Sequence, residues 1–190
     1  MIGHVDALAG LSALSKIRIL ATTPEDHVDH MLNEGDRVQM ILLGSTMEEF
    51  LLIPIEARFT GEMNGDEWKW IFGPDGPVGS FSAKTRFAQA FGIITRKTAK
   101  QIDIIRGIRN AAAHSLNPIT YENEAVQKAL TSLGHSQSMQ DTMAKWDAQS
   151  FRYFHGTFCA HLDQVIAYHA EKMTLDLNAI VKDVDAYQQE

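Results

Sequence analysis

The sequence contains a single cysteine, Cys159, in 190 residues. One thiol cannot close an intrachain disulfide and cannot by itself hold a zinc ion, which excludes a disulfide framework and agrees with a reducing compartment. No apolar run approaches the roughly 20 residues that a membrane-spanning helix needs, and the N-terminus lacks the basic start of a signal peptide. We therefore expect a cytoplasmic protein with no membrane contact.

Basic residues are also fewer than acidic ones. Lysine and arginine total 17 against 24 aspartate and glutamate residues, which gives a formal net charge of -7 and a pI near 5.6. This excess of negative charge disfavours sequence-independent binding of nucleic-acid phosphates over a broad surface, so any contact with nucleic acid should be local. The 45% hydrophobic and 22% charged residues are typical of a globular protein and exclude a disordered or fibrous one.

Alternating runs of strand type are almost absent, whereas apolar residues recur at three- and four-residue spacing. The pattern predicts an all-α fold, a single-domain multi-helix bundle over residues 1–190. Residues 1–34 form a helical extension in this interpretation, residues 35–116 the core and residues 117–190 the C-terminal helices. Within these regions we predict a helix over 36–59 with a kink or break one turn before Pro54, a weaker segment over 122–133, a polar stretch over 134–140 and a long helix over 142–173.

Residues 60–79 contain two of the five prolines and five of the 13 glycines, which predicts an ordered loop pinned to the helical body by Trp68, Trp70, Ile71 and Phe72. Ser80 or Ser82 should cap a short helix that ends at Phe91-Gly92, and Thr95 should cap a second helix that ends near Ser115. These two helices should form a hairpin. Lys84 and Arg86 near the first cap could hold a phosphate, but the P-loop pattern is missing, so a structural corner is the better interpretation.

The segment from Gln101 to His114 carries the most specific chemistry. On a helix, Ile104, Ile105, Ile108, Ala111 and Ala112 share one face, while Asp103, Arg106, Asn110 and His114 share the opposite face within roughly 80°. Arg109 lies at the border of this polar stripe. Gly107 and Ala113 leave little side chain on the two flanks, so another helix could approach closely.

Arg109, Asn110 and His114 together suit the cleavage of an RNA phosphodiester without a metal. His114 would act as general acid and base, Arg109 would neutralise charge on the phosphoryl oxygens, and Asn110 would position the groups. Arg109 and His114 point about 140° apart on a straight helix, so one copy makes a poor site and two copies related by a twofold axis could share one. In the structural alternative, Arg109, Asn110 and His114 satisfy backbone carbonyls and the helix dipole.

Two glutamates in the apolar helix, Glu48 and Glu49, complete the candidate site together with Asp103 and Arg106. At least one glutamate should turn inward, where it would either orient Arg106, Arg109 or His114 or neutralise a buried cation. Other polar groups are weaker candidates: His27, Asp29 and His30 have poor spacing for a metal, and Cys159 is best interpreted as a buried packing residue near His155. We expect no metal and no cofactor.

Arg109-Asn110, three further residues and His114 resemble the Arg-x4-6-His signature of HEPN-type helical domains, many of which are metal-independent ribonucleases that work as dimers. A longer likeness covers residues 35–116 and resembles the mannitol operon repressor family. It rests on Gly35-Asp36-Arg37, on the run from Phe72 to Lys84, on Phe91-Gly92-Ile93-Ile94 and on the run from Ile104 to His114. This resemblance implies an all-α regulator without a DNA-reading helix-turn-helix that acts through partners.

Three functional interpretations therefore stay open. The first is a cytoplasmic regulator of mannitol-repressor type, a homodimer that acts through a regulatory protein partner or through local contacts with nucleic acid. The second is a HEPN-type metal-independent endoribonuclease of toxin or defence type that acts on RNA. The third is a non-catalytic helical interaction module in which the polar residues hold the hairpin together.

Overall fold

The computed structural model describes residues 35–58, 63–134 and 136–187, with side chains as far as residue 168. Over these residues the chain forms helices and no strand, which confirms the all-α prediction. The helices are α1 (Asp36–Glu56), α2 (Gly65–Phe72), α3 (Phe81–Ala90), α4 (Arg96–His114), α5 (Glu124–Thr131), α6 (Gln137–Met143) and α7 (Ala148–Tyr187). The helical extension predicted in residues 1–34, with His27 and His30, lies outside the described residues.

Helix α1 is the centre of the core, because α3, α4 and α7 all pack against it. Its residues Met40, Met47, Leu51 and Ile55 are completely buried. By length and composition alone α1 could cross a bilayer, with a mean hydropathy of 1.4 over its most apolar window, but 56% of that window is buried inside the protein. The apolar character of α1 is that of a core helix surrounded by other helices.

Helix α1 begins at Asp36, as the sequence predicts, and of the kink or break expected before Pro54 the break is wrong. The helix continues through Pro54, which is buried, and ends at Glu56. Proline removes one backbone donor near the end of the helix, and the next turn still closes through the Ala57 N–H, which donates to the Ile53 carbonyl at 3.1 Å. Burial of the last turn stabilises the helix enough to offset this loss.

The aromatic part of the predicted loop over residues 60–79 is instead the two-turn helix α2. Asn64 accepts hydrogen bonds from the N–H groups of Asp66 and Glu67, and the Glu67 side chain accepts from the Asn64 N–H, which completes a capping box. Phe72 is buried against Trp68, with ring centroids 4.6 Å apart. Trp70 is 74% exposed, so only part of the aromatic set pins this segment.

The predicted hairpin is confirmed as α3 and α4, which pack against each other and against α1. Ser80 caps α3 by accepting from the Ala83 N–H at 3.2 Å, and Thr95 caps α4 by accepting from the Thr98 N–H at 3.1 Å. Gly92, between the helices, has φ of 70°, a conformation that suits glycine. The caps therefore fix where α4 begins and how it lies on α1.

The C-terminal third differs from the prediction in three places, one of which is that the long helix continues past residue 173 to Tyr187. The polar stretch over 134–140 includes the start of α6, because Ser136 caps it by accepting from the Met139 N–H at 3.2 Å. The long helix begins at Ala148 and not at 142, since Asp147 accepts from the Ser150 N–H at 2.8 Å and starts a new helix after a turn.

Candidate functional site

Helix α4 has a buried face and a polar face, but the buried face is rotated from the predicted one. Ile104 is only partly buried and Ala111 is exposed, because the contact with α1 and α3 continues toward the start of α4. The residues that are buried are Ala99, Ile102, Ile105, Ile108 and Ala112. The opposite face carries the polar residues Asp103, Arg106, Asn110 and His114, which are exposed or half-buried.

Arg109 lies at the border between these two faces, and its guanidinium is held within the subunit. Its Nη1 donates to Asn110 Oδ1 at 3.0 Å, and its Nη2 lies 3.8 Å from Glu48 Oε2. The Nε atom is buried and has no hydrogen-bond partner among the residues the structure describes. The Arg109 side chain is 29% exposed, so one edge of the group still reaches solvent.

Glu48 turns inward from α1 and connects three helices. Its Oε1 accepts from Lys84 Nζ of α3 at 2.8 Å, while its Oε2 faces Arg109 of α4. The side chains of Lys84 and Glu48 are only 8% and 16% exposed. We call Glu48, Lys84, Arg109 and Asn110 the Glu48 cluster. Two cations share one carboxylate in this cluster, and Glu49 is exposed outside it.

The Glu48 cluster leaves no role for Lys84 as a free phosphate ligand, because its ammonium is bound to Glu48. The sequence carries a signal that points to this burial: Lys84 lies with Phe81, Thr85 and Ala88 at the spacing of one helix face, and all four are buried. A lysine on an apolar face requires a carboxylate from a neighbouring helix, and only the fold shows that this carboxylate is Glu48.

Helices α1 and α4 pack closely at Gly44, directly beside Arg109. A Cβ atom at Gly44 would overlap Cβ and Cγ of Arg109. Gly107, which the sequence suggested as the small residue for a close helix contact, is exposed and has nothing within 4 Å of a Cβ built on it. The glycine that permits close packing in this subunit therefore belongs to α1, and the flank of α4 at Gly107 is open.

His114 is the last residue of α4 and is exposed. The C-terminal carbonyls of α4 are capped by Arg37, whose Nη2 donates to the carbonyls of Ala113 at 3.4 Å and Ser115 at 3.1 Å. Within one subunit, Arg109 contacts α1 while His114 faces solvent, so the fold does not bring the two groups together. Asp103 and Arg106 form an exposed ion pair at 3.0 Å beside them.

A second polar group, which the sequence did not reveal as a site, lies between α7 and the segment before α5. The Tyr121 hydroxyl and His155 Nδ1 lie 2.8 Å apart in a buried position. Burial lowers the pKa of His155 to about 4 and raises that of Tyr121, so both groups are neutral at neutral pH. Burial also raises the pKa of the Cys159 thiol, as expected for a packing residue.

Asp163 lies further along α7 and is also buried, with Oδ1 unpartnered among the described residues. Burial raises the pKa of this carboxyl group well above its ordinary value. The described part of the chain contains no group of three or more His, Cys, Asp or Glu residues arranged to hold a metal ion. His155, Cys159 and Asp163 are buried and are best interpreted as parts of the packed interior.

No family model and no curated protein matches this sequence. Among solved structures, the chain is similar to a chain of the MtlR–HPr complex from Escherichia coli, with a TM-score of 0.60 and 15% sequence identity. The similarity covers 76% of this chain and 99% of that chain. It does not bear on the HEPN-type resemblance. At this identity the likeness shows the fold alone, and the chain has an MtlR-like all-α fold.

Proposed function

We propose that the protein is a cytoplasmic, mannitol-repressor-like regulator that acts by binding a protein partner. The observation that carries this proposal is the MtlR-like fold. The guanidinium of Arg109 is bonded to Asn110 and faces Glu48, which also neutralises the buried Lys84. These contacts favour a structural role for Arg109 between α1 and α4 over a catalytic one.

The fold likeness suggests the kind of partner. The MtlR chain with this fold was solved in complex with HPr, and the similarity spans nearly that whole chain. Large exposed apolar side chains, such as the fully exposed Leu116 and the half-exposed Val38, offer anchors for a protein surface. We therefore propose an HPr-type protein as the partner, bound by a homodimer of this chain.

Calorimetric titration of the purified full chain with HPr tests this proposal. We expect a saturable isotherm, together with a complex that elutes ahead of either protein in size-exclusion chromatography. An unrelated protein of similar size and charge serves as the control and should give no heat beyond dilution. Absence of a complex at about 100 μM of each protein would contradict the proposal, because specific regulatory complexes bind in the micromolar range or tighter.

A second candidate function, the metal-independent endoribonuclease, is favoured by the exposure of His114 and by the open flank at Gly107. A second copy of α4 could approach this flank and bring its own polar face to the first. In such a dimer the solvent-facing edge of Arg109 from one copy and His114 from the other would serve one phosphodiester.

Complementation between inactive variants tests this shared site. If the wild type cleaves RNA through this shared site, Arg109→Gln and His114→Ala should each abolish cleavage. A mixture of the two variants, after exchange of subunits, should then regain about a quarter of the wild-type activity, since half of the mixed population is heterodimer with one intact site of two. A mixture that stays inactive, or a single variant that retains cleavage, would eliminate a site shared in this way.

A further inference from the structure

The charge of the chain is distributed very unevenly. Residues 76–121 contain seven lysines and arginines and one acidic residue, Asp103, whereas the rest of the chain contains ten basic and 23 acidic residues. This basic segment is the α3–α4 hairpin and its flanks. The net charge of -7 therefore conceals one strongly basic element in an otherwise acidic protein.

Four of these cations lie at or near the closed end of the hairpin. Arg86 of α3 and the residues Arg96, Lys97 and Lys100 of α4 are exposed, and none of the four forms an ion pair with a residue that the structure describes. Three of them occupy the first turns of α4, where positive charge is unfavourable to the helix dipole. Their presence costs helix stability, which points to a use outside the fold.

An aromatic ring lies between these cations along the chain, at the turn of the hairpin. Phe91 is 45% exposed at the end of α3 and packs edge-on against Phe87, with ring centroids 5.0 Å apart. The turn that carries it is fixed, because the Ile93 N–H donates to the Ala88 carbonyl at 2.9 Å and Ile93 is buried. Phe91 thus offers a ring that is held in place at the turn of a hairpin whose exposed cations flank it in the chain.

We propose that Arg86, Phe91, Arg96, Lys97 and Lys100, here called the hairpin tip, bind a short single strand of nucleic acid. The cations would pair with successive phosphates while a base stacks on Phe91, the combination by which single strands are held without reading their sequence. The acidic remainder of the protein repels a polyanion, which confines the contact to this tip. This inference is independent of the proposed protein partner.

Fluorescence anisotropy with a labelled 12-nucleotide oligo(U), and with oligo(dT) of equal length, tests the proposal on the full chain. We expect the logarithm of the association constant to fall linearly with the logarithm of the salt concentration. The slope should be about -3, since each phosphate contact on a single strand contributes about -0.7 and the hairpin tip has four cations. Arg96→Gln, Lys97→Gln and Lys100→Gln combined should reduce the slope to about -1 and the affinity at least tenfold. The thermal midpoint of this triple variant should not fall, because the substitutions relieve repulsion at the helix start.

A matched control has the same change of charge elsewhere. Lys69→Gln, Lys128→Gln and Lys145→Gln combined removes three exposed cations outside the hairpin and should leave the slope and affinity within twofold of the wild type. Phe91→Ala should weaken binding about tenfold without changing the slope, whereas Trp70→Ala, at a more exposed ring, should have no effect.

Equal losses in the two triple variants, or no salt-dependent binding of either oligonucleotide by the wild type, would overturn the proposal. Binding of polyglutamate at the same affinity, insensitive to Phe91→Ala, would also overturn it and would assign the hairpin tip to an acidic protein.

Discussion

At the scale of single residues, Glu48 is the polar side chain of α1 that joins this helix to both α3 and α4. It is the carboxylate that neutralises Lys84 and faces Arg109, and removing its charge would leave two cations beside an apolar interior. We expect Glu48→Gln to lower the free energy of unfolding by about 2–4 kcal/mol, because an unpaired buried charge is strongly destabilising. Urea denaturation measures this change.

The neighbouring residue provides the control. Glu49 is exposed, so Glu49→Gln should change the free energy of unfolding by less than about 0.5 kcal/mol. Equal effects of the two substitutions would show that the Glu48 cluster does not hold α1, α3 and α4 together.

The buried groups of α7 predict how stability depends on pH. The pKa of His155 is about 4 in the folded chain and about 6.5 in the unfolded chain, so the unfolded chain binds a proton first as pH falls. The stability that neutral His155 contributes is fully present above pH 6.5 and is lost progressively down to pH 4, by up to about 3 kcal/mol. His155→Gln should flatten this fall in urea unfolding measured from pH 7 to 4.

Asp163 acts in the opposite direction. Its pKa is raised by burial, so the folded chain keeps a proton that the unfolded chain has already lost, and its contribution grows as pH falls. Asp163→Asn should therefore steepen the loss of stability between pH 7 and 4 and stabilise the protein at pH 7. The interpretation of both groups is wrong if the two variants follow the wild-type slope.

In the candidate site, the sequence predicts the relative placement of side chains only where they lie on one helix, because helical spacing alone sets that placement. The spacing of α4 separates Arg109 from His114, and the apolar context of Glu48 suggests an inward turn. The pairing of Glu48 with Lys84 depends on how α3 crosses α1, and the contact of Tyr121 with His155 joins residues 34 positions apart. No local pattern encodes such tertiary contacts.

At the scale of the helices, alanine substitutions at two glycines should change the stability of the protein in opposite directions. Gly44→Ala would push its methyl group into Arg109 at the contact of α1 with α4, and should destabilise the protein by about 1–3 kcal/mol. Gly107→Ala, on the open flank of α4, should stabilise it by about 0.5–1 kcal/mol through better helix propensity. Thermal and urea unfolding of the two variants measure both changes.

The informative result is whether the two alanine substitutions change the free energy of unfolding in opposite directions. If both alanines destabilise equally, α4 is packed on both flanks; if neither does, α1 and α4 are not in close contact at Gly44.

Helix boundaries were predictable where a cap or a glycine marks them, as Ser80, Gly92 and Thr95 mark α3 and α4. The short helices α2 and α6 were missed because their composition resembles a loop, although Asn64-x-x-Glu67 is a readable capping box. At Pro54 the sequence suggested an interruption of α1, but the helix continues to Glu56, since burial of its last turn outweighs one lost hydrogen bond.

At the scale of the whole molecule, the all-α class follows from apolar periodicity alone, and the MtlR-like fold agrees with the family resemblance found in residues 35–116. Function follows less directly, because the same Arg-x4-His spacing suits a shared catalytic site and a structural clamp. The contacts of Arg109 with Asn110 and Glu48 favour the clamp.

Incubation of purified protein with RNA in the presence of a chelator tests this account most directly, with wild type and His114→Ala compared side by side. We predict that the RNA stays intact with both proteins under assay conditions in which the wild type is fully folded. Cleavage by the wild type that disappears in His114→Ala, with helical content and thermal midpoint unchanged, would contradict it and make Arg109 and His114 catalytic.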